Sequence, residues 1–426
     1  MTDYDFTAEK LSRRGFVVRA GLGLSALALL GCPVRLLEAS EDQEVSLDAK
    51  IGQMLMVGFR GLEVNAEDPI VRDIQDLYLG GVMLFDYDVL LQSPVRNIQS
   101  PEQVKALVSS LQSFASLPLL VAIDQEGGKI RRLKEKFGFP PTVSHQYLGT
   151  IDDSTVTHKH ASAMAQTLSE LGINVNLAPV VDLNVNPCNP VIGHLERSFS
   201  ADPDVVIRNA LEFIKAHHEQ GVLCTLKHFP GHGSSTEDSH LGLVDITNTW
   251  SPIELQPYEE IVKAGQSDMI MTAHVFNADL DPDYPATLSR AVITGILREQ
   301  LGYDGVVISD DMQMGAIGEQ YGFETALRAT IEAGVDIIAI ANNLAYDENV
   351  VARSVAFIKQ WVEDGLISEE RIDRSYRRIQ RLKDRLAAND LTLRLQLPVQ
   401  QRIRKHPNEY ADFDPLPNPE YNGARK

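Results

Sequence analysis

Gly305-Val306-Val307-Ile308-Ser309-Asp310-Asp311-Met312 is an apolar run that ends abruptly in two carboxylates. Its apolar part is continuous, not alternating, which is the pattern of a parallel strand covered on both faces. Eight such runs occur along the chain, at 53–59, 81–85, 119–124, 175–182, 222–227, 269–274, 306–310 and 335–341. The segments between them are long enough for helices. Ser100-Pro101-Glu102-Gln103 and Ser251-Pro252-Ile253-Glu254 each offer a capping serine, a proline at the first helical position and a Glu or Gln shortly after. Strand and helix alternating eight times predict an α/β protein built as a single (β/α)8 TIM-type barrel. An open doubly wound sheet stays as the alternative, because counting strands does not prove that they close into a ring.

The 426 residues are 44% hydrophobic, enough to bury a large core. Asp and Glu number 59 against 39 Lys and Arg, a net charge of −20, which repels phosphate backbones and argues against nucleic acid as a partner. The three cysteines, Cys32, Cys188 and Cys224, form neither a disulfide framework nor a zinc pattern. Cys224 lies in an apolar run and reads as a core thiol.

Residues 1–32 read as an export signal. Ser12-Arg13-Arg14-Gly15-Phe16-Val17-Val18 is a twin-arginine segment, and the uncharged stretch 20–31 after it is shorter than the about 20 residues of a membrane span. Leu29-Leu30-Gly31-Cys32 resembles a lipobox, which would make Cys32 the acylated first residue of a membrane-anchored lipoprotein on the periplasmic or extracellular face. The competing reading is cleavage later, near Ala39-Ser40. A polar linker at 33–45, a barrel at 46–390 and a Pro-rich, charged tail at 391–426 complete the division, with an arginine-rich helix over 368–386 preceding the tail.

Polar residues gather where the apolar runs stop: Asp124, Asp182, Lys227-His228, His274, Asp310 and Asn342-Asn343. In a barrel those ends share one face, where active sites lie. The segment from Lys227 to His240, KHFPGHGSSTEDSH, leaves a strand with a cation and an imidazole and continues as a Gly/Ser-rich loop. Small residues would make that loop mobile enough to close over a ligand. Asp238 could orient His240 and raise its pKa, fitting it to give up a proton near neutral pH. A metal site from His228, His232, His240 and Asp238 is a second reading of the segment, and a surface loop with incidental histidines a third. After strand 306–310, a carboxylate aimed into the barrel mouth could attack an anomeric carbon, and strand alternation would turn only one of Asp310 and Asp311 inward.

Together, the segment Asp124-Gln125-Glu126-Gly127-Gly128-Lys129-Ile130-Arg131-Arg132, the stretch from Lys227 to His240, and Ser309-Asp310-Asp311 resemble glycoside hydrolase family 3. The likeness is to its β-N-acetylglucosaminidase branch and spans about 46–386 in order. It implies a retaining exo-β-N-acetylhexosaminidase that removes terminal β-linked GlcNAc from peptidoglycan fragments or other glycans. Asp310 would be the nucleophile and His240 the acid/base, paired with Asp238. Asp124, Arg132, Arg197, Lys227 and His228 would hold the sugar, with no cofactor and no metal. Two stretches depart from the pattern: Gly193-His194-Leu195-Glu196-Arg197-Ser198-Phe199 carries extra residues before Glu196, and 86–96 forms an enlarged loop. The competing expectations are a family 3 enzyme with another sugar specificity or using phosphate in place of water, and a carbohydrate-binding lipoprotein without turnover. Asp310, Asp238 and His240 together disfavour the last, since mere binding requires none of them.

Overall fold

A computed structural model describes residues 45–396. The twin-arginine segment, Cys32 and most of the tail fall at 1–44 and 397–426, outside the described residues. Eight parallel strands form one sheet: β1 (Leu55–Gly58), β2 (Gly81–Leu84), β3 (Leu120–Ile123), β4 (Val175–Asn176), β5 (Leu223–Phe229), β6 (Met269–Thr272), β7 (Val306–Ile308) and β8 (Ile338–Ile340). They pair in sequence order from β1 to β7, and β8 lies on the far side of β1, with Met56 opposite Ala339. A parallel bridge between Ile308 and Ile337 joins β7 to β8, and Ser309 N donates to Ile337 O at 2.9 Å. The ring therefore closes, and the open doubly wound sheet is excluded.

Every residue of all eight strands is buried, which is why their sequences are continuous in apolar character. Strands β1 and β8 approach closely at Gly58, where a Cβ would fall 1.9 Å from the carbonyl oxygen of Ala341. Cys224, within β5, is buried as expected of a core thiol, whereas Cys188 is exposed.

Several strands are shorter than their apolar runs. The clearest case is 175–182, where pairing stops at Asn176 and resumes only as a bridge between Val180 and Lys227. Pro179, lacking an N–H, interrupts the ladder there. The Ala178–Pro179, Lys227–His228 and Phe229–Pro230 peptides are cis.

Ser100 caps helix Pro101–Phe114, its Oγ accepting from Gln103 N at 3.2 Å. Ser251 differs. The chain after it forms a 3-10 turn, Pro252–Leu255, before helix Gln256–Lys263, and the Ser251 side chain makes no cap bond. Glu254, expected to complete that cap, is buried instead against the turn after β5, accepting from Gly233 N at 3.2 Å. The final helix, Glu369–Gln396, runs past 386 into the stretch read as tail.

Candidate active site

The C-terminal ends of the strands surround a cavity of about 360 Å³. Its floor is a network of buried charge. Lys227, near the end of β5 and 2% exposed, donates from Nζ to Asp124 Oδ1 at 2.8 Å and pairs with Glu126 Oε1 at 2.6 Å. Arg132 donates from Nη2 to Asp124 Oδ2 at 3.1 Å. Arg197 grips Glu126 with two bonds of 2.8 Å, from Nε and from Nη2. Burial alone would raise the Asp124 carboxyl, but the Lys227 and Arg132 cations outweigh it and hold the group far below the usual range. The same contest leaves Glu126 at about 2, with Arg197 and Lys227 prevailing over desolvation. A floor of interlocked, fully charged donors and acceptors suits a neutral ligand rich in hydroxyls, each of which can both give and accept a hydrogen bond.

His228 connects this floor to a second buried carboxylate. Its Nδ1–H donates to Asp182 Oδ2 at 2.7 Å, and its Nε2 accepts from Arg197 Nη2 at 3.2 Å. Asp182 also accepts from the backbone N–H of His232 at 2.8 Å. The His232 ring bonds Ser235 Oγ at 2.8 Å and Ser239 Oγ at 3.1 Å, and burial lowers its pKa to about 4. Both nitrogens of these two rings are thus engaged within the protein. Among the described residues no group of three His, Cys, Asp or Glu side chains has a metal-holding arrangement.

The Gly/Ser-rich segment is less loop-like than its composition suggests. Residues 231–235 are buried. Gly231 has φ +126°, and a Cβ on Gly233 would fall 1.7 Å from Leu183 O, so these glycines permit close packing. Beyond them exposure rises at Thr236, Glu237, His240 and Leu241, while Ser239 stays buried against His232. His240 turns its Nδ1 to Asp238 Oδ1 at 2.7 Å while its backbone N–H donates to the same oxygen at 2.9 Å. The bond to Asp238 is the largest influence on the His240 ring and raises its pKa despite partial burial.

Asp310 and Asp311 follow β7, and both residues contribute to the cavity lining. Their surroundings still separate them. Asp311 Oδ1 accepts from the N–H groups of Ala341 (2.8 Å) and Gln313 (3.2 Å), and burial raises its carboxyl to about 6. Among the described residues the Asp310 carboxylate accepts only from the N–H of Asp311, at 2.8 Å. Burial works to raise the Asp310 carboxyl, but the imidazoles of His274 and His228 and that amide hold it below the usual range, ionised and open to the cavity.

All eight residues singled out from the sequence line this one cavity: Asp310, His240, Asp238, Asp124, Arg132, Arg197, Lys227 and His228. The extra residues before Arg197 are absorbed by a turn in which Glu196 adopts φ +59° and pairs outward with Lys129 at 2.8 Å. Of the other strand-end residues, His274 is buried against Thr287 and Asp311 O, and Asn342 braces its own loop at Asp347. Asp182, already grouped at the strand ends, and Glu126, inside the segment after β3, are the members to which the sequence reading gave no role. Glu126 carried a signal, lying two residues beyond Asp124 and hence on the same side of an extended chain.

Residues 46–382 match the model of the glycosyl hydrolase family 3 N-terminal domain. The chain belongs to glycosyl hydrolase family 3. This family 3 member is 36% identical over 382 residues to β-hexosaminidase A of Pseudoalteromonas piscicida, covering 80% of this chain and 62% of that protein. Among solved structures, it superposes on a family 3 β-N-acetylglucosaminidase from Paenibacillus sp. str. FPU-7 with TM-score 0.74 and 38% identity, covering 81% of this chain and 64% of that one. A β-N-acetylhexosaminidase from Beutenbergia cavernae gives TM-score 0.72 and 29% identity, with 80% of this chain and 99% of that one covered. The chain thus spans somewhat less than two thirds of the first two relatives and nearly all of the third.

Proposed function

We propose that this family 3 barrel is a retaining exo-β-N-acetylhexosaminidase that releases terminal β-linked GlcNAc, with Asp310 as nucleophile and His240 as acid/base. The observation that carries the reading is the convergence of an ionised, uncommitted Asp310 and the His240–Asp238 pair on one cavity with a hydroxyl-matching floor. In the first step an Asp310 oxygen bonds to the anomeric carbon while that carbon's bond to the glycosidic oxygen breaks. Protonated His240 gives its proton to the departing oxygen, which leaves as the aglycone alcohol. In the second step the now neutral His240 takes a proton from water, whose oxygen displaces Asp310 and restores the carboxylate. Two displacements at one carbon return the β configuration. Asp238 acts through His240 by holding Nδ1 and favouring the protonated ring, leaving Nε2 as the nitrogen that exchanges the proton.

The names of the relatives support the sugar assignment, and the exported, Cys32-anchored reading of the N-terminus favours peptidoglycan fragments or other glycans outside the cytoplasm as substrates. The test is a screen of p-nitrophenyl β-GlcNAc, β-GalNAc and β-glucoside, with and without a chelator. β-GlcNAc is expected to be the best substrate, with turnover unaffected by chelation and the β-anomer as first product by NMR. Preference for β-glucoside, initial release of the α-anomer, or a requirement for phosphate would overturn the corresponding part of the reading.

A further inference from the structure

The cavity is lined by apolar as well as charged side chains. Beside its buried charges, the lining includes Tyr87, Val89, Met314 and Leu344, apolar residues brought from the loops after β2, β7 and β8. Val89 belongs to the enlarged loop after β2, whose apolar side chains point outward, with exposures from 42% at Tyr87 to 64% at Leu91. Such a run exposed on a soluble surface is unfavourable unless something covers it.

The loop is also rigidly built. Its buried Asp88 accepts from Arg60 Nε at 2.6 Å and from Arg96 Nη1 at 2.9 Å, and it pairs across the loop with Ser93 at 3.0 and 3.1 Å. Asn343, in the loop after β8, accepts from Val89 N at 3.0 Å and donates to Tyr87 O at 3.1 Å. Those bonds occupy the backbone groups that a sugar hydroxyl would otherwise use, leaving the lining its apolar side chains.

The same loops reach the acid. Gln313 donates to Ala345 O at 2.7 Å, joining the loops after β7 and β8, and Gly315 lies directly against the backbone of His240 and Leu241. Leu241, next to the proposed acid, is 82% exposed. The apolar arc therefore borders the side on which a leaving group protonated by His240 departs.

We propose that this arc is the aglycone subsite, and that it selects β-glycosides whose aglycone presents an aliphatic or aryl group beside the glycosidic oxygen. The proposal rests on the reading of His240 as the acid that serves the leaving group. The probes are methyl, butyl and hexyl β-GlcNAc, whose leaving alcohols are close in acidity, so that differences in kcat/KM report contact and not chemistry. Full burial of a methylene is worth about fourfold, and half burial at a rim about twofold, so kcat/KM is expected to rise about twofold per added methylene.

Exchanging Val89→Ser and Leu344→Ser together should flatten the series, the ratio of the hexyl to the methyl glycoside falling toward one, with the Tm essentially unchanged. Leu91→Ser, at the loop apex and away from the cavity wall, should leave the series as steep as in the wild type. A flat wild-type series, or one that stays steep in the double variant, would overturn the aglycone subsite. Failure to cleave any of the three glycosides or the aryl β-GlcNAc would overturn the sugar assignment, and the subsite with it.

Discussion

Replacing Glu126 with Gln tests whether the buried charge network holds the sugar-binding floor in place. The carboxylate receives two bonds of 2.8 Å from Arg197 and pairs with Lys227 at 2.6 Å, and it is 2% exposed. Glutamine preserves the shape but removes the anion and turns an NH2 group toward a cation. The folded-state pKa of about 2 lies below the ordinary 4.5, so the group contributes stability that is fully present above pH 4.5 and is lost as pH falls toward 2. At about 1.4 kcal/mol per pH unit, that difference corresponds to about 3 kcal/mol. Breaking a buried pair by removing one partner costs about 3–5 kcal/mol, a compatible figure. Urea unfolding at pH 7 should therefore show Glu126→Gln about 3 kcal/mol less stable than wild type, with the gap narrowing below pH 4.5. kcat/KM should fall as well, because Arg197 and Lys227 lose their common anchor. A gap below about 1 kcal/mol at pH 7, or one indifferent to pH, would refute the view that Glu126 secures these cations.

Asp310→Asn should abolish turnover, by on the order of a thousandfold or more, with the Tm preserved. Asp311→Asn should stay within about tenfold of wild type, because its Oδ1 can still accept from Ala341 and Gln313; steady-state kinetics on aryl β-GlcNAc compares the two, and greater sensitivity at Asp311 would reverse their roles. Asp238→Asn keeps an acceptor but removes the carboxylate charge that strengthens the bond raising the His240 pKa, so the alkaline limb of the kcat/KM profile should move to lower pH. His240→Ala should slow natural disaccharides by about 10²–10⁴-fold and activated aryl glycosides far less, and equal losses on both would show that His240 is not the acid. Wild-type protein should fractionate with membranes of its native cell and Cys32→Ala with the soluble fraction. A soluble wild type would remove the anchor proposal and leave export standing.

The barrel was legible because burial on both faces leaves runs such as Val306-Val307-Ile308 without polar alternation, and eight of them recur with helix-length segments between. The site was legible for a related reason. Polar residues stopping those runs must share one end of the ring once the strands are parallel, so Asp124, Lys227 and Asp310 could be grouped though far apart in sequence. Ring closure itself was not legible, since it depends on the bridge from Ile308 to Ile337 and not on any one strand. Strand alternation could not by itself say which of Asp310 and Asp311 is free, and only the family resemblance pointed to Asp310: the amides of Ala341 and Gln313, brought from the neighbouring strand and turn, occupy Asp311 and leave Asp310 open. The glycines after β5 mislead by composition, because a residue without a side chain suits close packing as well as motion, and Leu183 O against Gly233 decides between the two. Residue chemistry and strand order belong to the chain alone; which carboxylate is held, which is open and which cation lies between them arise only when distant strand ends meet.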